Sequence, residues 1–316
     1  MSIARPVILF GGRAPQREEW GAALRAGAEA QGVQMDLRMS PEEVDPAQVD
    51  AIIYNPEGPL QDFSPYPNLK AVLNMWAGVE AVIGNPTLKV PLTRMVEPGL
   101  TEGMTDWVTA HVMHAHVGLS RHMALTPGEW PEWRPPLSRE RKVGILGLGE
   151  LGTDAARMLA ALRFDVAGWS RRPKRIEGVT CFHGEEGLEA ILKRSEIIAL
   201  LLPNTPATQN VINAKTLAMM PRGAAILNSG RGTLIDDEAL LDALDSGQVD
   251  YAALDVFRVE PLPEDHRYWT HPKVTISPHI AAITRASTAA GALVEQIGRL
   301  GRGEPLKHVV DRAQGY

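Results

Sequence analysis

The stretch that most narrows the fold lies at residues 142–162. An apolar run, Lys142–Leu146, passes directly into Gly147-Leu148-Gly149-Glu150-Leu151-Gly152, and a helical pattern follows over Leu151–Leu162. Glycines at this spacing have separate tasks. The first permits a tight turn, the second lets backbone approach a pyrophosphate, and the third lets helix pack closely on strand. The helix start adds unpaired N–H groups and the positive end of a dipole. A bare G-x-G-x-x-G is a weak signal. Set between a strand and a helix, it predicts a dinucleotide site at Leu148, Gly149, Glu150, Leu151 and Gly152.

The rest of the chain fits around such a site. Short apolar runs alternate with helical patterns, the signature of parallel sheets built from strand-helix-strand units. In the first hundred residues the expected strands are Pro6–Phe10, Gln34–Arg38, Asp50–Tyr54 and Leu69–Met75. A helix over Arg17–Gln31 carries Trp20, Leu24 and Ala28 on one face. A long helical pattern runs from about Thr105 to Met123, with Thr101 or Thr105 as its expected cap. After the Pro- and Trp-rich segment Pro127–Pro136, a second strand series begins: Lys142–Leu146, Phe164–Trp169, Ile197–Leu202, Ala224–Asn228, Tyr251–Asp255 and Val274–Ser277. A last helix is expected over Arg285–Leu300. At 316 residues the chain is about twice a usual domain length, so two α/β lobes are expected, with a boundary near Gly103.

Several classes fall away. The longest apolar run, Ile197–Leu202, is far short of the roughly 20 residues a membrane helix needs. Val7–Phe10 ends in Gly11-Gly12 and reads as a first strand, not a signal peptide. One cysteine, Cys181, excludes an internal disulfide framework. With 32 Lys and Arg against 38 Asp and Glu the net charge is −6, which argues against a general nucleic-acid surface. The expectation is a cytoplasmic protein with no nucleic-acid or membrane partner.

Ligands of open α/β sheets bind outside the carboxyl ends of the strands. In the second lobe those ends are Leu202-Pro203-Asn204, Asn228-Ser229-Gly230-Arg231, Asp255 and Pro278-His279, with Glu260 following shortly after Asp255. An arginine, a histidine and two acids thus meet at the cofactor crevice. Such a set suits reduction of a ketone beside a carboxylate. Arg231 can hold a 2-oxo acid's carboxylate by a charge-assisted pair and polarise its carbonyl. His279 can give a proton to the carbonyl oxygen, and a carboxylate beside it, best supplied by Glu260, would favour the imidazolium. The strand Ala167-Gly168-Trp169 ends in Ser170-Arg171-Arg172, where an NAD-preferring site would place an acid. A hydroxyl and two guanidinium groups suit a 2′-phosphate, so NADPH is expected in preference to NADH.

The motifs Gly147–Gly152, Asn228-Ser229-Gly230-Arg231-Gly232, Asp255-Val256-Phe257 with Glu260-Pro261-Leu262-Pro263, and Pro278-His279-Ile280-Ala281 together resemble the D-isomer-specific 2-hydroxyacid dehydrogenases. Leu201-Leu202-Pro203-Asn204-Thr205-Pro206 is similar to that family's cofactor-flanking loop. Trp169-Ser170-Arg171 and the closing Val310–Tyr316 are similar to its glyoxylate/hydroxypyruvate reductase A branch, which uses NADPH. The resemblance implies a Rossmann domain over 104–285 inserted in a smaller flavodoxin-like substrate domain made of 1–103 and 286–316, and a homodimer. It also implies a catalytic set of Arg231, Glu260 and His279, with Asp255 near the nicotinamide amide and Ala281 among the cofactor contacts. By the same resemblance, the loop Asn74–Val79 gives backbone N–H groups to the substrate carboxylate, through Trp76, Ala77 and Gly78. Glu80 departs from the family, where Asp is common. Trp76 is bulky for that loop; it either narrows the pocket or packs the lobe's core.

Other features read as structural. His111, His114, His116 and His122 share one helical pattern without an evident third ligand, so helix packing is expected and no metal site. Cys181 has no evident base partner. Trp130 and Trp133 are expected to cap a core, although by resemblance this region can reach a partner subunit's site. The function expected is NADPH-dependent reduction of glyoxylate or hydroxypyruvate. The rivals are a reductase of larger 2-oxo acids and, in another class, a dinucleotide-sensing interaction protein.

Overall fold

In the computed structural model, residues 5–313 and 315 are described. Gln314 and Tyr316, part of the closing segment quoted above, lie outside the described residues. The chain divides into two compact units: residues up to Leu100 together with those from Ile283 onward, and Thr101–Ala282.

The first unit contains β1 (Val7–Gly11), α1 (Arg17–Gln31), β2 (Asp36–Arg38), β3 (Ala51–Tyr54), β4 (Ala71–Asn74), α2 (Glu80–Ile83) and β5 (Leu92–Thr93). Its sheet is parallel throughout, in the order β2-β1-β3-β4-β5. Strands β3 and β4 are buried along their whole length, as the apolar runs Ala-Ile-Ile-Tyr and Ala-Val-Leu-Asn require. The strand β5 was not foreseen, because two residues carry no readable alternation. Trp20, Leu24 and Ala28 of α1 are buried, the face expected from their spacing.

Helix α3 (Pro98–Val117) carries the chain onward, followed by α4 (Leu119–Met123). Neither expected cap holds here. Thr101 and Thr105 lie inside α3, and the buried carboxylate of Glu97 caps it by accepting from Gly99 N and Leu100 N, both at 2.7 Å. Glutamate is an uncommon cap, which is why the start was misplaced. The expected single helix to Met123 is also broken, at Gly118 in left-handed conformation with φ 64°.

The second unit continues with β6 (Lys142–Leu146), α5 (Glu150–Ala161), β7 (Asp165–Ser170), β8 (Thr180–His183), α6 (Gly184–Arg194), β9 (Ile197–Leu200), α7 (Ala214–Met219), β10 (Ala224–Asn228), α8 (Asp237–Asp245), β11 (Val249–Leu254) and β12 (Val274–Ile276). The final helix α9 (Ala286–Arg302) belongs to the first unit. The seven-stranded sheet runs β12-β11-β10-β9-β6-β7-β8, again parallel throughout. This is the doubly wound Rossmann order, and the direction of winding switches between β6 and β9. Cys181 sits in β8, which forms the sheet edge. Apolar side chains from both faces form the core, including Ile198, Ile226 and Leu254 on one side and Ile145, Leu227 and Ala253 on the other. No helix among the described residues is long and apolar enough to cross a membrane.

Candidate active site

The switch point between β6 and β9 is built on glycine. A Cβ on Gly147 (φ 112°) would stand 2.5 Å from Leu201 O, so the turn after β6 touches the loop after β9. A Cβ on Gly152 would overlap Gly147 O at 1.9 Å, so close helix-strand contact requires glycine there. Gly149 differs, because its Cβ would meet nothing within 4 Å. No internal contact demands glycine at this helix start, and the open space above it is the cradle a pyrophosphate needs. The residues present therefore fit a dinucleotide. Gly149 and Glu150 lie exposed at the lip, and the first N–H groups of α5 have no intrahelical partners.

The neighbouring positions divide into those that offer side chains and those that do not. Leu148, Leu202 and Ala281 bury their side chains in the cores, so only their backbone can meet a cofactor. Leu151 is half-buried. The Pro203 carbonyl already accepts from Thr208 Oγ1 at 2.7 Å, whereas the Asn204 amide has no partner among the described residues. Asn228 is buried and spends its side chain on the turn: Nδ2 donates to Arg231 O at 3.0 Å and Oδ1 accepts from Gly230 N at 3.2 Å. Ser229 Oγ is buried without a hydrogen-bond partner among the described residues.

Beyond β7, Ser170 Oγ donates to Arg172 O at 2.8 Å, folding the Ser170-Arg171-Arg172 corner on itself while both arginines remain exposed. Lys174, which sequence reading passed over, donates from Nζ to Leu148 O. It brings a cation to the glycine turn. A run of polar residues in a loop gives no signal that one of them folds back.

Arg231 follows β10 in extended conformation, with Nη1 donating to Gly230 O at 2.7 Å. The next residue, Gly232, is indispensable sterically: a Cβ there would lie 1.9 Å from the Phe257 carbonyl carbon. The turn bearing Arg231 and the turn leading to Glu260 are thus in contact. Glu260 Oε1 accepts from Phe257 N at 2.9 Å, and Oε2 stands 2.7 Å from His279 Nδ1. Because an ionised carboxylate only accepts, Nδ1 carries the hydrogen and Nε2 is left for a reacting group. His279 has φ 54° and its N–H donates to Asp255 O at 2.8 Å and Ser277 O at 3.1 Å.

Asp255 is 1% exposed, and its carboxylate accepts from Ser277 Oγ (2.6 Å), Ile280 N (2.9 Å) and Ala281 N (3.0 Å). Its side chain is engaged with the His279 loop, a use that spacing did not disclose.

In the first unit, the loop after β4 has the opposite construction. Asn74 Nδ2 donates to Trp76 O (2.9 Å) and Gly78 O (2.8 Å), Met95 N donates to Trp76 O (2.9 Å), and Thr284 Oγ1 donates to Met75 O (2.9 Å). The N–H groups of Trp76, Ala77 and Gly78 have no partner among the described residues. Trp76 is 36% exposed, so it does not pack the core.

The histidine-rich helix is a packing element. His111 Nδ1 lies 2.8 Å from the Tyr251 hydroxyl and His114 stacks on that ring at 4.5 Å. Burial, then the neighbouring His114, push His111 down from 6.5 to about 4. No group of metal ligands occurs among the described residues. Trp133 covers Gly118 and His122, whereas Trp130 is 94% exposed and caps nothing.

A parallel sheet of this order, with a glycine cradle at its switch point and a paired histidine at a strand end, defines a dinucleotide-dependent oxidoreductase of Rossmann type. Residues 109–281 match the family described as D-isomer specific 2-hydroxyacid dehydrogenase, NAD binding domain. A D-isomer specific 2-hydroxyacid dehydrogenase from Xanthobacter autotrophicus Py2, in complex with NADPH and MES, is 39% identical over 99% of this chain and 100% of that one, with a TM-score of 0.91. An NADPH-dependent glyoxylate/hydroxypyruvate reductase from Sinorhizobium meliloti, in complex with NADP and sulfate, is 37% identical over 99% and 100%, with a TM-score of 0.87. The chain belongs to the D-isomer specific 2-hydroxyacid dehydrogenase family and is an enzyme acting on CH–OH groups.

Proposed function

We propose that the enzyme reduces a short 2-oxo acid with NADPH, glyoxylate to glycolate or hydroxypyruvate to D-glycerate. The observation that carries this reading is the 2.7 Å contact between His279 Nδ1 and Glu260 Oε2, which directs Nε2 to the substrate. When bound, NADPH supplies the hydride; His279 supplies the proton to the carbonyl oxygen from Nε2. Glu260 fixes the ring by accepting from Nδ1. Arg231 holds the carboxylate and polarises the carbonyl. In the first unit, the N–H groups of Trp76, Ala77 and Gly78, which have no partner among the described residues, are the donors we assign to the carboxylate. The exposed Trp76 ring supports a short substrate over a long one.

Leu148 to Gly152 hold the pyrophosphate at the start of α5, and the unpartnered Ser229 Oγ and Asn204 amide complete the cofactor contacts with Leu202, Pro203, Asn228, Gly230, Asp255 and Ala281. Ser170, Arg171 and Arg172 take the 2′-phosphate. The NADPH dependence of the Sinorhizobium enzyme and its named substrates support the same assignment. We assign the cofactor role to the second unit and the substrate role to the first. The apolar, exposed Met123, Leu125, Trp130 and Leu137 follow one another in the chain, which supports a second copy as their partner in a homodimer.

Steady-state oxidation of NADPH and NADH against glyoxylate, hydroxypyruvate and bulkier 2-oxo acids tests this. Fastest turnover of the two short acids with NADPH is expected. Preference for bulky acids would reassign the substrate, and no turnover with any would favour a sensing role. Neutral replacements of Arg171 and Arg172 should weaken NADPH more than NADH; equal losses would mean that the corner is only solvated.

A further inference from the structure

Asp255 is held from a direction the reaction itself does not explain. Its Oδ1 accepts from Ser277 Oγ at 2.6 Å, and Ser277 Oγ lies 3.0 Å from Trp107 Nε1 on α3. The polarity of this chain is forced. An indole only donates and an ionised carboxylate only accepts, so the single Ser277 hydrogen must go to Asp255 while its oxygen accepts from Trp107. Downstream, the same carboxylate receives Ile280 N and Ala281 N, and the Asp255 carbonyl receives His279 N.

We infer that Trp107 and Ser277 are positioning residues for the proposed proton donor, acting through Asp255 on the backbone that carries His279. The inference rests on His279 being that donor. His279 occupies a left-handed conformation that a non-glycine residue adopts only when its surroundings impose it. Glu260 orients the ring from one side, but it does not hold the backbone. That task falls to Asp255, which is buried and whose polar atoms therefore require hydrogen-bond partners within the protein. Two of those partners lie in the His279 loop itself. The third, Ser277 Oγ, is the one donor among the described residues that ties the carboxylate to an element outside that loop. Trp107 is fixed on its other face by His111, with ring centroids 4.3 Å apart, and His111 is bonded in turn to Tyr251. The relay therefore anchors the loop to helix α3 and to strand β11.

Rigid placement matters because a proton donor displaced by a fraction of an ångström loses reactivity steeply. The test uses the full-length enzyme with the substrate it turns over best. Ser277→Ala should lower kcat about tenfold while KM for the cofactor changes less than about twofold, a split that locates the loss in the chemical step. The solvent deuterium isotope effect on kcat should rise, because proton transfer becomes more limiting. Ser277→Thr keeps a hydroxyl and should restore most of the rate, and Trp107→Phe should show a weaker version of the Ala defect.

His279→Ala serves as the control. If it keeps its turnover, the proton-donor reading itself fails. If it is inactive while Ser277→Ala retains full kcat and an unchanged isotope effect, the relay is refuted and the donor assignment stands. Equal defects in Ser277→Thr and Ser277→Ala, with matching losses of thermal stability, would reduce Ser277 to a packing role and also refute it.

Discussion

Two loops of this enzyme are built in opposite senses. In the loop after β4 the carbonyls of Met75, Trp76 and Gly78 are all engaged by donors, and the N–H groups of Trp76, Ala77 and Gly78 have no partner among the described residues. In the loop after β12 the N–H groups of His279, Ile280 and Ala281 are all spent on Asp255, and a side chain is left to act. The first presents backbone and uses side chains as fasteners. The second presents a side chain and uses backbone as the fastener. Recognition of a carboxylate tolerates the first arrangement, because N–H donors are the same for every residue type. The proton donation we propose for His279 requires the second, because histidine is the side chain whose ordinary titration range lies nearest neutral pH.

The sharpest way to break this comparison is at the side chains. Arg231→Gln should lower kcat/KM for the 2-oxo acid about a thousandfold, since it removes a charge-assisted pair made in the reacting complex. Glu260→Gln keeps the shape but not the charge opposite His279, and kcat should fall about thirtyfold, less than the roughly hundredfold or more that loss of a general acid itself costs. Stopped-flow traces of NADPH oxidation check both. The backbone loop is probed by Asn74→Asp, which sets carboxylate oxygens against the carbonyls of Trp76 and Gly78. KM for the 2-oxo acid should rise about tenfold with cofactor affinity kept, because the loss falls on binding. A rise in cofactor Kd instead would erase the distinction between the loops.

The smallest effect concerns stability. His111, half-buried and held down to about 4, binds its proton in the unfolded chain before the folded one. Its contribution is complete above the usual value near 6.5 and is lost as pH falls from there toward about 4. Thermal melts should drop across that window, and His111→Gln should flatten the drop.

The same contrast explains what the sequence discloses. Arg231, Glu260 and His279 are chemistry-bearing types at strand ends, and the glycines of residues 147–152 stand between a strand and a helix, so both were legible. The engagement of the Trp76 and Gly78 carbonyls was not visible from residue types, since it depends on where the Asn74 amide points. Trp107 and Ser277 are separated by the whole Rossmann sheet in sequence, and neither residue type at its own position signals the other. Lys174 reads as one more cation in a polar loop. The start of α3 was misplaced because local propensity favours threonine caps, whereas the buried Glu97 carboxylate wins by bonding two N–H groups at once. The doubly wound order itself was within reach, because alternating strands and helices permit few other parallel arrangements.

The central claim, that the paired histidine delivers the proton, is tested most directly by single-turnover reduction of glyoxylate with NADPH and His279→Ala. A rate loss of about a thousandfold or more with the NADPH Kd nearly unchanged is expected, as for removal of a general acid. A single-turnover rate equal to that of the unaltered enzyme would contradict it.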